Sequence, residues 1–136
     1  MHEWNNFIAN KQASTQGVFV SRVNVTIAKE NFVAGVVLSQ IIYWYSPSRD
    51  GRRKLRVRAE HPQSYERMYC LAKSQSEWEN EIGISPKQAR GAIEKLDKMG
   101  LIDTKIDRFK GNNVTHIFLD KEYYAELRKD ALSRWL

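Results

Sequence analysis

Residues 74–119 read SQSEWENEIGISPKQARGAIEKLDKMGLIDTKIDRFKGNNVTHIFL, and the fold turns on their punctuation. Ser74 with Glu77 three residues on forms a capping box, Trp78 and Ile82 lie one helical turn apart, and Gly83 supplies a left-handed stop. This predicts a short helix over 75–82. Ser85 is a second N-cap, with Pro86 at the first helical position and Gln88 closing a second capping box. Ala89, Ala92, Ile93, Leu96 and Met99 form the inward stripe of that helix, and Gly100 ends it. The hydrophobic period then changes from helical to alternating. Leu101 to Phe109 and Val114 to Leu119 read as strands, with turn chemistry in Lys110-Gly111-Asn112-Asn113 between them, so a β-hairpin follows.

Upstream, Phe32 to Tyr45 predicts a buried central helix over 31–46, capped by Asn31 and ended by Pro47 and the Arg49-Asp50-Gly51 turn. Gly35 inside it costs about 1 kcal/mol relative to Ala, which predicts close approach of another backbone. Segment 51–73 holds seven Lys+Arg against two Asp+Glu, nearly all of the chain's excess charge. Its inner part, Leu55-Arg56-Val57-Arg58-Ala59, alternates, placing the arginines on one strand face and Leu55 and Val57 on the other. Met68 to Ala72 pairs with it as a second strand across the polar His61-to-Glu66 connection. Two readings stay open for this basic hairpin: an edge guarded by positive charge, or a phosphate-contacting ribbon. Nearer the start, a polar segment over 1–17 precedes a short strand at Val18-Phe19-Val20 and a short helix from Asn24 to Glu30. Downstream, Asp120 caps a final helix over 120–136, with Tyr124, Leu127, Ala131 and Trp135 on one face and Leu132 beside it.

The 136 residues make a single α+β domain with a formal charge of +6 and 42% hydrophobic residues. The apolar run Phe32 to Tyr45 is broken by Ser39 and Gln40 and falls short of the roughly 20 residues a bilayer crossing needs. The polar start argues against a secretory signal, so a cytoplasmic protein is expected. Cys70 is the sole cysteine, which excludes an internal disulfide and a multi-cysteine metal site; neither a metal nor a cofactor is expected. No phosphate-cradling glycine loop occurs, Glu77 and Glu81 read as a solvated helix face, and His116 reads as a structural histidine, so the chain is not expected to be an enzyme.

A short helix, a glycine turn, a capped second helix and a hairpin, in that order, make a winged helix-turn-helix. Here it carries an expanded basic β-hairpin before it and a C-terminal helix after it: helix-turn-helix over 74–100, wing over 101–119. The turn presents the second helix's N-terminus, where free N–H groups and the helix dipole favour phosphate. Ser85, Lys87, Gln88, Arg90, Gly91 and Glu94 are the candidates for contact there, with Lys98 on the same outward stripe. Arg90 and Lys87 suit guanine O6/N7, Gln88 suits adenine once free of its cap, Gly91 admits close approach, and Glu94 accepts from cytosine N4. Lys105, Arg108, Lys110, Asn112 and Asn113 are the wing candidates, and Arg52, Arg53, Lys54, Arg56 and Arg58 those of the basic hairpin.

The run Ile84-Ser85-Pro86-Lys87-Gln88-Ala89-Arg90, with Ile93-Glu94-Lys95-Leu96, Gly100-Leu101-Ile102, Lys105, Arg108-Phe109-Lys110-Gly111 and Thr115-His116, resembles winged-helix domains of phage- and plasmid-encoded replication proteins. These include the N-terminal domain of the DnaD-like replication initiators. Leu38-Ser39-Gln40-Ile41-Ile42-Tyr43-Trp44 and Lys73-Ser74 with Trp78 extend the resemblance, which covers roughly residues 31–119. It implies double-stranded DNA as partner, at an origin-like or operator site, a homodimer, and replication proteins as further partners. Proteins of that kind continue into a second domain, so either a DNA-binding fragment or a stand-alone relative is expected. The rival reading is a protein-interaction module on the same scaffold that binds and modulates a replication or host-defence complex. Glu77, Glu79 and Glu81 sit poorly along phosphates, and the last helix, with Tyr123, Tyr124, Leu127, Leu132 and Trp135, either caps the core or pairs with a second subunit.

Overall fold

Ser21 opens the first helix, α1 (Arg22–Ile27), and Asn31 caps the second, α2 (Phe32–Tyr45), by accepting the Ala34 N–H at 3.0 Å in a computed structural model that describes residues 20–134. Helix α1 starts two residues earlier and ends three residues earlier than the sequence predicts. Lys29 and Glu30 adopt φ of 57° and 61°, and the Lys29 and Glu30 N–H groups turn back onto the Thr26 and Val25 carbonyls, so the helix cannot reach Glu30. Of the predicted early strand, Val18 and Phe19 lie outside the described residues and Val20 belongs to no regular element; segment 1–17 and residues 135–136 also lie outside.

Helix α2 is the axis of the molecule. Every residue from Ala34 to Ile41 is buried, and a Cβ at Gly35 would lie 2.7 Å from the Cα of Val25. The glycine therefore serves a crossing of α1 over α2, the close approach its position implied.

The chain continues through β1 (Val57–Glu60), β2 (Arg67–Lys73), α3 (Gln75–Ile82), α4 (Pro86–Lys98), β3 (Ile102–Phe109), β4 (Asn112–Leu119) and α5 (Lys121–Ser133). The fold is α+β, and its four strands form one antiparallel sheet in the order β1-β2-β4-β3. Strand β2 changes partner midway: Arg67 to Cys70 pair with β1, whereas Leu71 to Lys73 pair with β4. The sheet curls there and buries apolar side chains on both faces. Leu71, Ile102 and Ile117 join Leu38, Ile41, Trp78 and Leu96 in the main core, while Ala59, Cys70 and Phe118 form a second cluster on the opposite face, packed by Val57 and Met68. Leu55 precedes the strand and enters the main core, whereas Val57 enters the second cluster, so the expected shared face for these two is not formed.

A histidine holds the curl. His61 Nδ1 accepts the N–H groups of Gln63 (3.1 Å) and Ser64 (3.2 Å), which leaves the ring proton on Nε2 to bond Asp103 Oδ2 at 3.0 Å. The ring meets Phe118 edge-on with centroids 5.1 Å apart, and Gln63 Nε2 donates to Asp103 Oδ1 at 3.3 Å. The connection between β1 and β2 is thereby tied to the beginning of β3, two strands away.

The wing turn is tighter than predicted. Lys110 and Gly111 alone carry positive φ (52° and 81°), and Asn112 and Asn113 are the first residues of β4, paired with Phe109 and Arg108. A two-residue turn of this hand matches the twist of the flanking strands, so pairing extends to the tip. At the other end of the chain, Asp120 accepts the Tyr123 N–H at 3.0 Å, and α5 lays Tyr124, Leu127, Ala131 and Leu132 on the core. Tyr124 Oη donates to Asn24 Oδ1 at 2.6 Å and Asn24 Nδ2 donates to Ser39 Oγ at 3.0 Å, a polar chain through α5, α1 and α2. No described helix is long and apolar enough to cross a membrane.

Candidate nucleic-acid interface

Both capping boxes form as their spacing requires. Ser74 Oγ accepts the Glu77 N–H and Glu77 Oε1 accepts the Ser74 N–H, each at 3.2 Å. Gly83 takes φ of 70°, and Ile84 is buried in the main core. Ser85 Oγ accepts the Gln88 N–H at 3.1 Å, and Gln88 Oε1 accepts the Ser85 N–H at 2.9 Å. This second box fixes the start of α4 and also alters its chemistry. A bidentate contact with adenine needs both the oxygen and the nitrogen of a glutamine amide. Gln88 has committed its oxygen, so only Nε2 remains for a base while the cap holds, and Ser85 Oγ is likewise engaged.

Ala89, Ala92 and Leu96 face the core, leaving Lys87, Arg90, Gly91, Glu94 and Lys98 exposed on one stripe. Lys87 and Arg90 form no ion pair among the described residues, whereas Glu94 and Lys98 pair at 3.2 Å. A Cβ at Gly91 would meet no atom within 4 Å, so the helix is open at its middle.

The wing candidates are spread along the hairpin. Lys105 stands opposite His116 and Arg108 opposite Asn113, with Lys110 at the tip. Lys105 is paired with Asp107 at 3.5 Å. The Arg108 N–H, donating to Asp107 at 2.8 Å, and then Lys105 hold that carboxyl below its usual range. His116 is buried with Nδ1 against the Val114 carbonyl at 2.9 Å. Burial pushes the Cys70 thiol up to about 11, which leaves it protonated and unreactive at neutral pH.

The basic hairpin is built differently. Arg52 pairs with Asp50 at 3.2 Å. Arg53 donates to the Leu55 carbonyl at 2.9 Å and stacks 3.6 Å over the Tyr69 ring, while Lys54 donates to the Tyr43 carbonyl at 3.0 Å with its ammonium 3.7 Å over the Tyr43 ring. Arg56 and Arg58 line a groove of about 430 Å³ together with Arg67, Lys105 and Arg108, with Glu60 and Asp107 as its acids. The curl of the sheet thus places hairpin and wing cations around one depression. Arg67 belongs to this set although only its charge, and nothing in its local pattern, marked it in the sequence.

Lys73 does not share that role. Its side chain is 3% exposed, bonded to Glu81 Oε1 at 2.5 Å, 3.9 Å from Glu77 and 4.4 Å over the Trp44 ring. Glu81 Oε2 also accepts from Gln40 Nε2 at 3.2 Å. The reading of Glu77 and Glu81 as a solvated face holds for Glu77, whose side chain is exposed, and is corrected for Glu81, which turns toward a buried lysine on the preceding strand because β2 ends beside the start of α3. One of the seven cations in segment 51–73 is spent inside the protein.

No family model, curated protein or solved structure matches the chain.

Proposed function

We propose that the chain is a duplex-DNA-binding winged helix-turn-helix protein of mobile-element type, acting as a homodimer in the cytoplasm. It serves replication initiation at an origin-like site or regulates transcription at an operator. The observation that carries this reading is the stripe on α4. Lys87 and Arg90, without an ion pair among the described residues, lie beside an open Gly91 on a helix whose start is fixed by a capping box. The pairing of β4 with β2, the strand that leads into α3, ties the hairpin that follows α4 to the helix pair and supports its role as a wing. Lys87 and Arg90 read guanine edges in the major groove, and Gln88 adds a single donor. Arg108, Lys110, Asn112 and Asn113 contact adjacent backbone, and the depression bearing Arg56, Arg58 and Lys105 takes further phosphates.

A second reading, the protein-interaction module, is favoured by one feature: Ile106 on the wing is 74% exposed. Titrating random duplex DNA at ~50 and ~200 mM salt separates the two. Steep weakening at the higher salt supports DNA binding, whereas no binding at the lower favours the interaction module.

A further inference from the structure

The groove between the end of α2 and the chain leading into β1 differs in chemistry from the surfaces above. It encloses about 720 Å³, and its wall combines Tyr43 and Trp44 with Arg52, Arg53, Lys54 and Arg56. Its two exposed acids are already engaged, Asp50 by Ser48 and Arg52 and Glu77 by its capping box. Tyr43 is 53% exposed, and the indole N–H of Trp44 is buried without an acceptor. Arg53 lies on the Leu55 carbonyl and the Tyr69 ring, and Lys54 on the Tyr43 carbonyl and the Tyr43 ring, so cations already stand against aromatic faces along this wall.

Paired bases hide their faces in the stack, and a duplex makes no use of protein rings set among cations. An unpaired strand exposes both base faces and phosphates, and sites for it combine these two side-chain chemistries. A concavity of this size suits one or two nucleotides. The groove also shares Arg56 and Val57 with the depression lined by the wing, so the two are neighbours.

We propose that this groove holds an unpaired nucleotide segment of a single DNA strand, with a base on Tyr43 and phosphates on Arg52, Lys54 and Arg56. As the base stacks, the Lys54 ammonium leaves the ring for a phosphate. The proposal rests on the nucleic-acid reading given above, and its test keeps the two apart.

The test measures anisotropy of the full chain with a labelled oligothymidylate of about ten nucleotides and, separately, with a duplex, at ~50 mM salt. Tyr43→Ala is expected to weaken single-strand binding roughly tenfold while duplex binding stays within about twofold, and Tyr43→Phe to restore it. Arg90→Ala is expected to do the reverse, lowering duplex binding and sparing the single strand. Absence of single-strand binding in the wild type, or equal binding by wild type and Tyr43→Ala, overturns the groove assignment. Displacement of the strand by micromolar thymidine monophosphate overturns the strand in favour of a free nucleotide. If Arg90→Ala leaves duplex binding intact while Tyr43→Ala abolishes single-strand binding, the recognition-helix reading fails and the groove stands.

Discussion

The helix pair α3–α4 and the β1–β2 hairpin carry opposite kinds of information. Each helix is specified by residues within four positions of its own ends: a serine, a glutamate or glutamine three residues later, and a glycine. The hairpin is specified by partners far away, since His61 reaches Asp103, Arg58 and Lys105 line one groove, and Lys73 turns to Glu81. The locally determined α4 keeps its outward cations at the surface, and the one ion pair they form among the described residues, Lys98 with Glu94, is itself local. An element determined at long range redistributes them: of its basic residues, one is buried, two lie on aromatic rings and three line a depression with the wing.

The contrast is broken most forcefully at the buried lysine. Glu81→Ala leaves the Lys73 ammonium without its acceptor and is expected to cost about 3 kcal/mol in urea unfolding, most of it recovered when Lys73→Met is added. Were the single substitution silent, the hairpin and α3 would not be coupled through this pair. Gly35→Ala drives a Cβ into the Val25 backbone and is expected to lower stability by about 2 kcal/mol, read by thermal unfolding. On the local side, Arg90→Ala is expected to lose about 1–3 kcal/mol at a selected site and to relax base preference, whereas Lys110→Ala weakens all duplexes alike and reduces the salt slope by about 1. Equal behaviour of both variants and wild type on every duplex would remove α4 and the wing from the interface. Ser85→Ala sharpens the comparison at the smallest scale: the Gln88 N–H loses its cap and about 1 kcal/mol of stability is expected to go, while Gln88 Oε1 stays on the backbone N–H of residue 85, so selection from random duplexes should show unchanged base preference.

What was legible in the sequence follows from the same division. The bounds of α2, α3 and α4 were readable because Asn31, Ser74 and Ser85 satisfy helix N–H groups within three residues of themselves, and the depth of Gly35 was readable because a central glycine has no local reason to be there. The wing turn was misjudged by two residues, since four polar residues in a row do not say which two take positive φ. The split of Leu55 from Val57 was invisible, because alternation assumes a flat sheet and β2 bends where it changes partners. The inward turn of Lys73 was invisible for a related reason: charge counts register a lysine at full weight, wherever the strand sends it. At the candidate site, the outward stripe of α4 was legible from periodicity alone, whereas the engagement of Gln88 was implied by its own capping box and competed with the base contact assigned to it.

The link between Tyr124 and Asn24 spans 100 residues of chain. During synthesis, α1 and α2 emerge first and can cross at Gly35, yet the acceptor on Asn24 stays open to water until α5 is made. The nascent domain therefore keeps one side of α1 unsealed until α5 has been made, and closure of its core waits for the last of its helices.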